Sequence, residues 1–364
     1  MDSTFPRNEF YQQAKQQGHS QQYLAETLEY ADNLSKSGIP VIFSLKHLSV
    51  ILGLSHKELK ELIEKRDRYY SHYRIKKKSG GHREITSPHA ELKFIQQWIN
   101  INILAKIRLS NACMGFRKSY SIKNNAEVHK NQEAILKVDL FRFFDSISER
   151  RVYGMFKELG YHSNLAVDLA RLTTVHLPSS YWIAAIKDSE VPREFAHKSQ
   201  PFLPQGAPTS PAISNIIARK IDSRLLGLAT KFEVSYSRYA DDITFSGKTE
   251  CLPPIGLINK IVSEEGFYIN VKKLSTQRRG RRQIVTGLTV SNDVHVPKKY
   301  KREILKHLHY CKKYGPIDHL KRISQADRSG YKDWLLGKIC FVHSIEPEVG
   351  KKMMEQFNEV LWLL

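Results

Sequence analysis

The apolar positions of this chain change period several times, and each change marks an element. Residues 1–38 are polar and Gln-rich, and their spacing predicts one helix, around Tyr23–Leu34, ending near Gly38. Ile39–Ser44 leads into a helix with Leu45, Leu48, Ile51, Leu52 and Leu54 on its apolar face. A further helix runs about His56–Arg66. Tyr73–Ile85 alternates as two strands about the turn Lys78-Ser-Gly-Gly81. Pro88 is expected to open a long helix to about Leu109, apolar at Leu92, Ile95, Trp98, Ile99 and Ile103.

Ala134–Leu140 reads as a strand with Leu136, Val138 and Leu140 on one face. Asp139 therefore projects from the other face, near the C-terminal end. Ser146-Ile-Ser-Glu149 resembles a capping box opening a helix that stops at Gly160. Leu203–Ala212 is a loop. Ser210 is expected to cap the next helix, with Pro211 at its first position and Ile213, Ile216, Ile217, Ile221 and Leu225 on its apolar face. Val234–Phe245 forms two short strands meeting at Ala240-Asp241-Asp242. A helix (about Pro254–Glu265), Gly266 and a strand follow, and a strand at Gln283–Val290 precedes a basic helical tail. The order strand, helix, hairpin, helix, strand suits an α+β fold built on a split βαβ sheet with helices on one face. On such a sheet Asp139 can stand beside the Asp241-Asp242 tip.

Charge narrows the partners. The formal net charge is +20 with a sequence pI near 9.6, which favours a polyanion whose counterions are released on binding. No apolar run approaches a spanning helix and no signal-peptide core opens the chain, so nucleic acid is expected rather than a membrane. Lys272–Lys313 alone carries thirteen Lys or Arg against Asp293 and Glu303. Within it lie Arg278, Arg279, Arg281, Arg282, Lys298, Lys299 and Arg302; solvated surface is the plain alternative for such runs. A second cluster spans Arg74–Arg83. The cysteines (Cys113, Cys251, Cys311, Cys340) lack zinc-ligand spacing and are expected to be reduced, in a cytoplasmic protein.

Tyr239-Ala-Asp-Asp242 carries the chemistry. Two carboxylates about 4 Å apart repel by roughly 4 kcal/mol at an effective dielectric near 20. A fold keeps such a pair where a divalent cation neutralises it, and Mg²⁺ suits one or two carboxylates plus substrate phosphates. With Asp139 added, the set matches a two-metal site for in-line phosphoryl transfer. Asp139 and Asp241 are the expected direct ligands, with the Leu140 backbone carbonyl assisting and Asp242 secondary; Mn²⁺ is a substitute ion.

At this point the chain resembles a reverse transcriptase, and among those a bacterial retron enzyme. The resemblance covers about residues 40–300. It rests on Ile75–Arg83, Gly115-Phe-Arg with Asn125-Ala-Glu-Val-His129, Val138–Phe144, Leu203-Pro-Gln-Gly206, Tyr239-Ala-Asp-Asp242, Asn270-Val-Lys-Lys273 and Val285-Thr-Gly287, in that order. It implies a right-hand polymerase: an N-terminal helical region (1–60), fingers (61–130), a palm with the split βαβ sheet (131–290) and a basic, RNA-binding helical thumb (291–364). It implies that Lys77 and Arg83 grip the dNTP triphosphate, that Phe144 is an aromatic gate against a 2′-hydroxyl, and that Gln205 and Gly206 lie against the nascent base pair. Lys273 becomes the residue that protonates pyrophosphate. Asn125, His129, Val285, Thr286 and Gly287 become RNA-binding elements of the retron type. Taken alone, Phe144 reads rather as core, and equally His129 as a satisfied core or surface histidine and Gly287 as a bulge or tight turn. The resemblance further implies a cognate structured noncoding RNA as partner, priming from the 2′-hydroxyl of an internal guanosine, an RNA–DNA product (multicopy single-stranded DNA), a role in antiphage defence and an associated effector or toxin. Tyr300, His307, His309, Tyr310 and Tyr314 fit stacking on RNA, or helix packing. The rival readings are a group II intron-like reverse transcriptase and an RNA-binding scaffold for an effector.

Overall fold

The computed structural model describes residues 5–76, 82–176, 200–325 and 328–362. The chain divides into two units, each drawn from separate stretches. Unit 1 is Met1–Phe116, Leu140–Leu225 and Ile255–Asn270; unit 2 is Arg117–Asp139, Leu226–Pro254 and Val271–Leu364.

In chain order, unit 1 opens with helices α1 (Arg7–Gln16), α2 (Gln21–Lys36), α3 (Leu45–Leu52) and α4 (His56–Glu64). Helix α1 exceeds the sequence expectation: only its Ala14 is buried, so no apolar stripe announces it. On α3 the buried pair is Leu48 and Leu52, one turn apart, which turns Ile51 out to solvent instead of onto the apolar face. Strands β1 (Tyr70–Lys76) and β2 (His82–Pro88) pair antiparallel. Pro88 closes β2 opposite Tyr70 rather than opening a helix. Helix α5 (Ala90–Asn102) stops short of Leu109, because the Asn102 side-chain amide donates to the Trp98 carbonyl (2.9 Å) and a 3₁₀ turn follows.

Helix α6 (Ile122–Glu127) and strand β3 (Ala134–Asp139) open unit 2. The chain then returns to unit 1 for α7 (Glu149–Glu158), α8 (Ser163–Thr173) and α9 (Ser210–Ile217). Neither expected cap forms. The Ser146 hydroxyl donates back to the Phe141 and Arg142 carbonyls (3.2 and 3.1 Å), leaving Ser148 as the N-cap of α7. The Ser210 hydroxyl donates to the Pro204 carbonyl (2.6 Å), and Thr209 precedes α9. The single helix expected over Ile213–Leu225 is two, α9 and α10 (Arg219–Lys231), parted at Ala218, where the Arg219 Nε takes the Ile216 carbonyl (3.2 Å).

Strands β4 (Ser235–Tyr239) and β5 (Asp242–Gly247), then helix α11 (Ile255–Glu264), follow. The strand expected just after Gly266 is one bridge, Ile269 to Leu140; the ladder strand is β6 (Ser275–Arg278), inside the basic run. Gln283–Val290 is not one strand but a hairpin of β7 (Ile284–Val285) and β8 (Leu288–Thr289). Thr286 (φ 46°) and Gly287 (φ 82°) both adopt left-handed backbone, the demand of a type I′ turn. Helices α12 (Lys298–Tyr314), α13 (Pro316–Arg322), α14 (Tyr331–Ile345) and α15 (Pro347–Asn358) complete unit 2.

The central sheet of unit 2 runs β4-β5-β3-β6, every pair antiparallel. Strand β3 is buried on both faces, which blunts its alternation: Leu136 is buried, and so is Ile135 on the opposite face. Ile135 joins Val285, Leu288, Ile304, Leu335 and Val342 in one apolar cluster that ties the sheet to the C-terminal helices. All four cysteines are unbridged. No helix of the described residues is long and apolar enough to cross a membrane.

Candidate active site

The β4–β5 hairpin closes over two residues, since Tyr239 pairs with Asp242. Ala240 alone of the two has positive φ (58°), the geometry a two-residue hairpin with the II′ turn normally gives to glycine. The buried Arg238 guanidinium donates to the Ala240 carbonyl (2.9 Å) and holds that turn. Arg238 was not among the sequence-predicted site residues; its one signal is a charged residue within a strand otherwise rich in Tyr and Ser.

The β3–β5 register sets Asp139 directly opposite Asp242. Asp139 is 6% exposed, and Asp241 and Asp242 are half-buried. Burial first, then the charges of Asp139 and Asp242, push the Asp241 carboxyl up to about 6. Asp242 is raised too, by burial and then by Asp139, against the pull of Lys137. Lys273 answers part of this charge: its Nζ donates to Asp139 Oδ2 at 2.8 Å. Burial opposes the ammonium, yet the hydrogen bond to Asp139 and the charges of all three aspartates carry its pKa upward. The structure therefore brings Asp139, Asp241, Asp242 and Lys273 together in one electrostatic cluster within unit 2.

Among the described residues no three His, Cys, Asp or Glu side chains form a finished metal cage. The donor chemistry still fits a hard divalent ion. Buried carboxylates that raise one another's pKa suit a neighbouring cation, and Mg²⁺ asks for only one or two of them when phosphates and water complete its shell.

Unit 1 holds other predicted residues. Phe144 is half-buried, its ring 5.7 Å from buried Phe143 and 6.2 Å from exposed Phe116. Phe116, inside the Gly115-Phe-Arg block, is held by Asn215 Nδ2 donating to the Gly115 carbonyl (2.8 Å). Gly206 (φ 133°) makes its close approach to β2: an added Cβ would meet Ile85 at 2.9 Å and the Thr86 carbonyl at 3.0 Å. Beside it the Gln205 carbonyl accepts from the Thr86 amide (2.9 Å), so this loop extends the β1–β2 ladder. Arg83 is exposed on β2. Lys77 lies outside the described residues. Leu140 is buried and bridges to Ile269.

The expected RNA contacts divide. Arg278, Arg279, Arg281, Arg282, Lys298, Lys299 and Arg302 are exposed. Asn125, His129 and Val285 are not: all three are buried, so none presents a surface to RNA. Asn125 and His129 bond to Ser237 and Ser246 of the β4–β5 hairpin, and Val285 is part of the apolar cluster. The Thr286 hydroxyl donates to the Ile122 carbonyl (3.0 Å), and Gly287 is exposed at the turn. Helix packing accounts for Tyr300, against Phe341, and for His307, which bonds His319 and Tyr331.

Comparison with known proteins fits this geometry. A model of the family "Reverse transcriptase (RNA-dependent DNA polymerase)" matches residues 75–291. The retron Mx162 reverse transcriptase of Myxococcus xanthus is 31% identical, over 89% of this chain and 68% of that protein. The retron Ec86 reverse transcriptase of Escherichia coli is 30% identical, over 89% of this chain and 96% of that protein. The chain belongs to the retron reverse transcriptases. Among solved structures, telomerase of Candida albicans in complex with a fragment of telomeric RNA aligns at a TM-score of 0.41 and 9% identity, over 83% of this chain and 67% of that one. Truncated apo telomerase of Candida tropicalis aligns at 0.39 and 11%, over 67% and 61%. These two scores are too low to bear on the fold. In this reverse transcriptase the family match spans β2, the central sheet and the β7–β8 hairpin, and so takes in all four members of the aspartate–lysine cluster.

Proposed function

We propose that this reverse transcriptase copies a cognate structured noncoding RNA into multicopy single-stranded DNA, primed from the 2′-hydroxyl of an internal guanosine. It does so as a right-hand polymerase, with fingers, palm and thumb over the segments given above. Its unbridged cysteines are at home in a reducing cytoplasm. The RNA–DNA product serves antiphage defence together with an effector protein.

The observation that carries the reading is the register that sets Asp139 against Asp242, beside a hairpin tip where burial and the neighbouring carboxylates raise Asp241. In the reaction the primer hydroxyl attacks the α-phosphorus of a dNTP and pyrophosphate leaves. Two Mg²⁺ ions, when bound, supply charge stabilisation at the attacking and leaving oxygens. Asp139 and Asp241 would hold them, with the Leu140 carbonyl and Asp242 in support. Lys273 holds Asp139 by a hydrogen bond and stands as the proton source for the leaving pyrophosphate. Lys77 and Arg83 grip the triphosphate, the guanidinium by a forked contact. Phe144 excludes a 2′-hydroxyl, the Gln205-Gly206 loop borders the nascent pair, and the exposed arginines and lysines of 278–302 take the RNA phosphates.

Extension of an RNA-templated primer by Asp241→Asn tests the core of this reading. Loss of dNTP incorporation with RNA binding retained is expected; full incorporation would refute it. Sequencing the nucleic acid that copurifies with the chain tests the branched product.

A further inference from the structure

We infer that Asn125 and His129 are positioning residues for the polymerase hairpin, locking the register of β4 against β5 from within unit 2. The inference rests on the reading of Asp241 and Asp242 as the catalytic acids.

The hydrogen-bond chain has one direction. Ser237 Oγ donates to Asn125 Oδ1 (2.8 Å), which uses its only proton. Ser237 Oγ must therefore accept from His129 Nε2 (2.7 Å), which fixes the proton of the neutral ring on that nitrogen. His129 Nδ1 is then the acceptor for the Ser246 hydroxyl (2.7 Å). Asn125, His129, Ser237 and Ser246 are all buried, so water cannot replace a lost bond without cost.

The geometry of the strap matters as much as its bonds. Ser237 stands opposite Thr244, and Ser246 opposite Ser235, so the two serines are diagonal neighbours across the β4–β5 ladder. A ring with nitrogens on both sides can span a diagonal that one hydroxyl cannot. By strand alternation Ser246, Thr244 and Asp242 share a face, as do Ser237 and Tyr239. The strap therefore grips the face that carries Asp242. Sliding β4 past β5 breaks both imidazole bonds, and a one-residue slip would turn every side chain of the strand to the wrong face. The platform itself is anchored: α6 receives the Thr286 hydroxyl on the Ile122 carbonyl (3.0 Å), and Lys123 Nζ donates to the Ile345 carbonyl at the end of α14 (2.8 Å).

The test uses the full chain on an RNA template with a DNA primer, comparing wild type, His129→Leu, His129→Gln and Asn125→Ala. His129→Leu should lower single-nucleotide incorporation per bound complex on the order of 10²-fold, the scale of a small displacement of catalytic groups. The Mg²⁺ concentration for half-maximal rate should rise, and affinity for the template–primer should hold. Glutamine offers one donor and one acceptor, so His129→Gln should recover part of the rate; it also serves if the leucine variant does not fold. Reduced affinity with an unchanged rate per bound complex would make these residues an RNA surface and overturn the inference. So would a lower melting temperature with an unchanged rate per folded molecule. If Asp241→Asn incorporates like wild type, the polymerase reading has failed instead.

Discussion

Asp139 faces Asp242 across the β3–β5 ladder while Lys273 holds Asp139 at 2.8 Å. Three acids and one ammonium leave the cluster short of positive charge, and that deficit yields the first expectation. The folded-state pKa of Asp241, about 6, lies above its ordinary 3.8. The folded chain therefore holds that proton more tightly, and stability is lost as pH rises through about 6. In a chelator at neutral pH, Asp241→Asn should be more stable than wild type by roughly 2 kcal/mol. Denaturant titration measures this, and adding Mg²⁺ should stabilise wild type more than the variant. A variant less stable than wild type would show that the acids do not crowd one another.

Lys273 can act as a charge or as an acid, and two substitutions separate these roles. Lys273→Met should lower incorporation about 10²-fold. Lys273→Arg keeps the pairing with Asp139 but cannot yield its proton, so its rate should stay low while template binding and Mg²⁺ response recover. Full activity in the arginine variant would reduce Lys273 to a counter-charge.

Phe144→Ala should raise incorporation of NTP relative to dNTP on the order of 10²-fold, as a contact that excludes one hydroxyl is lost. Phe116→Ala, which removes the ring tilted against Phe144 at 6.2 Å, should move the ratio in the same direction by less. Competition between the two nucleotide types over single turnovers reads both effects. An unmoved ratio in Phe144→Ala would return that ring to the core.

Ala240 bears positive φ without the freedom of glycine. Ala240→Val should destabilise the chain by about 1–3 kcal/mol, because a β-branched side chain is strained there. Ala240→Gly should not. Equal loss in both would shift the explanation from backbone to packing.

Burial pulls His129 down to about 3 from an ordinary 6.5. Between those values the unfolded chain takes up a proton that the folded chain refuses. The stabilisation present above about 6.5 is lost as pH falls, by up to about 1.4 kcal/mol per pH unit. His129→Gln should flatten that slope in denaturant titrations between pH 6.5 and acid.

Much of the architecture was legible because strong periodic signals carried it. The Asp241-Asp242 tip lies at the junction of two strands, as read. Helix limits were less legible. Serines at 146 and 210 have capping chemistry, but each found a nearer carbonyl acceptor, a tertiary choice that spacing does not encode. Asn125 and His129 were misread as RNA contacts for a related reason. That role came from the resemblance, and spacing does not reveal that their partners are two ordinary serines more than a hundred residues away. Gly206 was read as a position of close backbone approach, and its missing Cβ makes room for Ile85 and Thr86.

The one-way bond order through Ser246, His129, Ser237 and Asn125 constrains how this lineage can vary. Changing the imidazole by itself strands the Ser246 hydroxyl in the dark of the protein, and changing either serine alone strands a ring nitrogen. Neutral drift here must be concerted, with several positions exchanged for apolar ones together. Single-step mutational paths across this part of the chain therefore run downhill before any can climb.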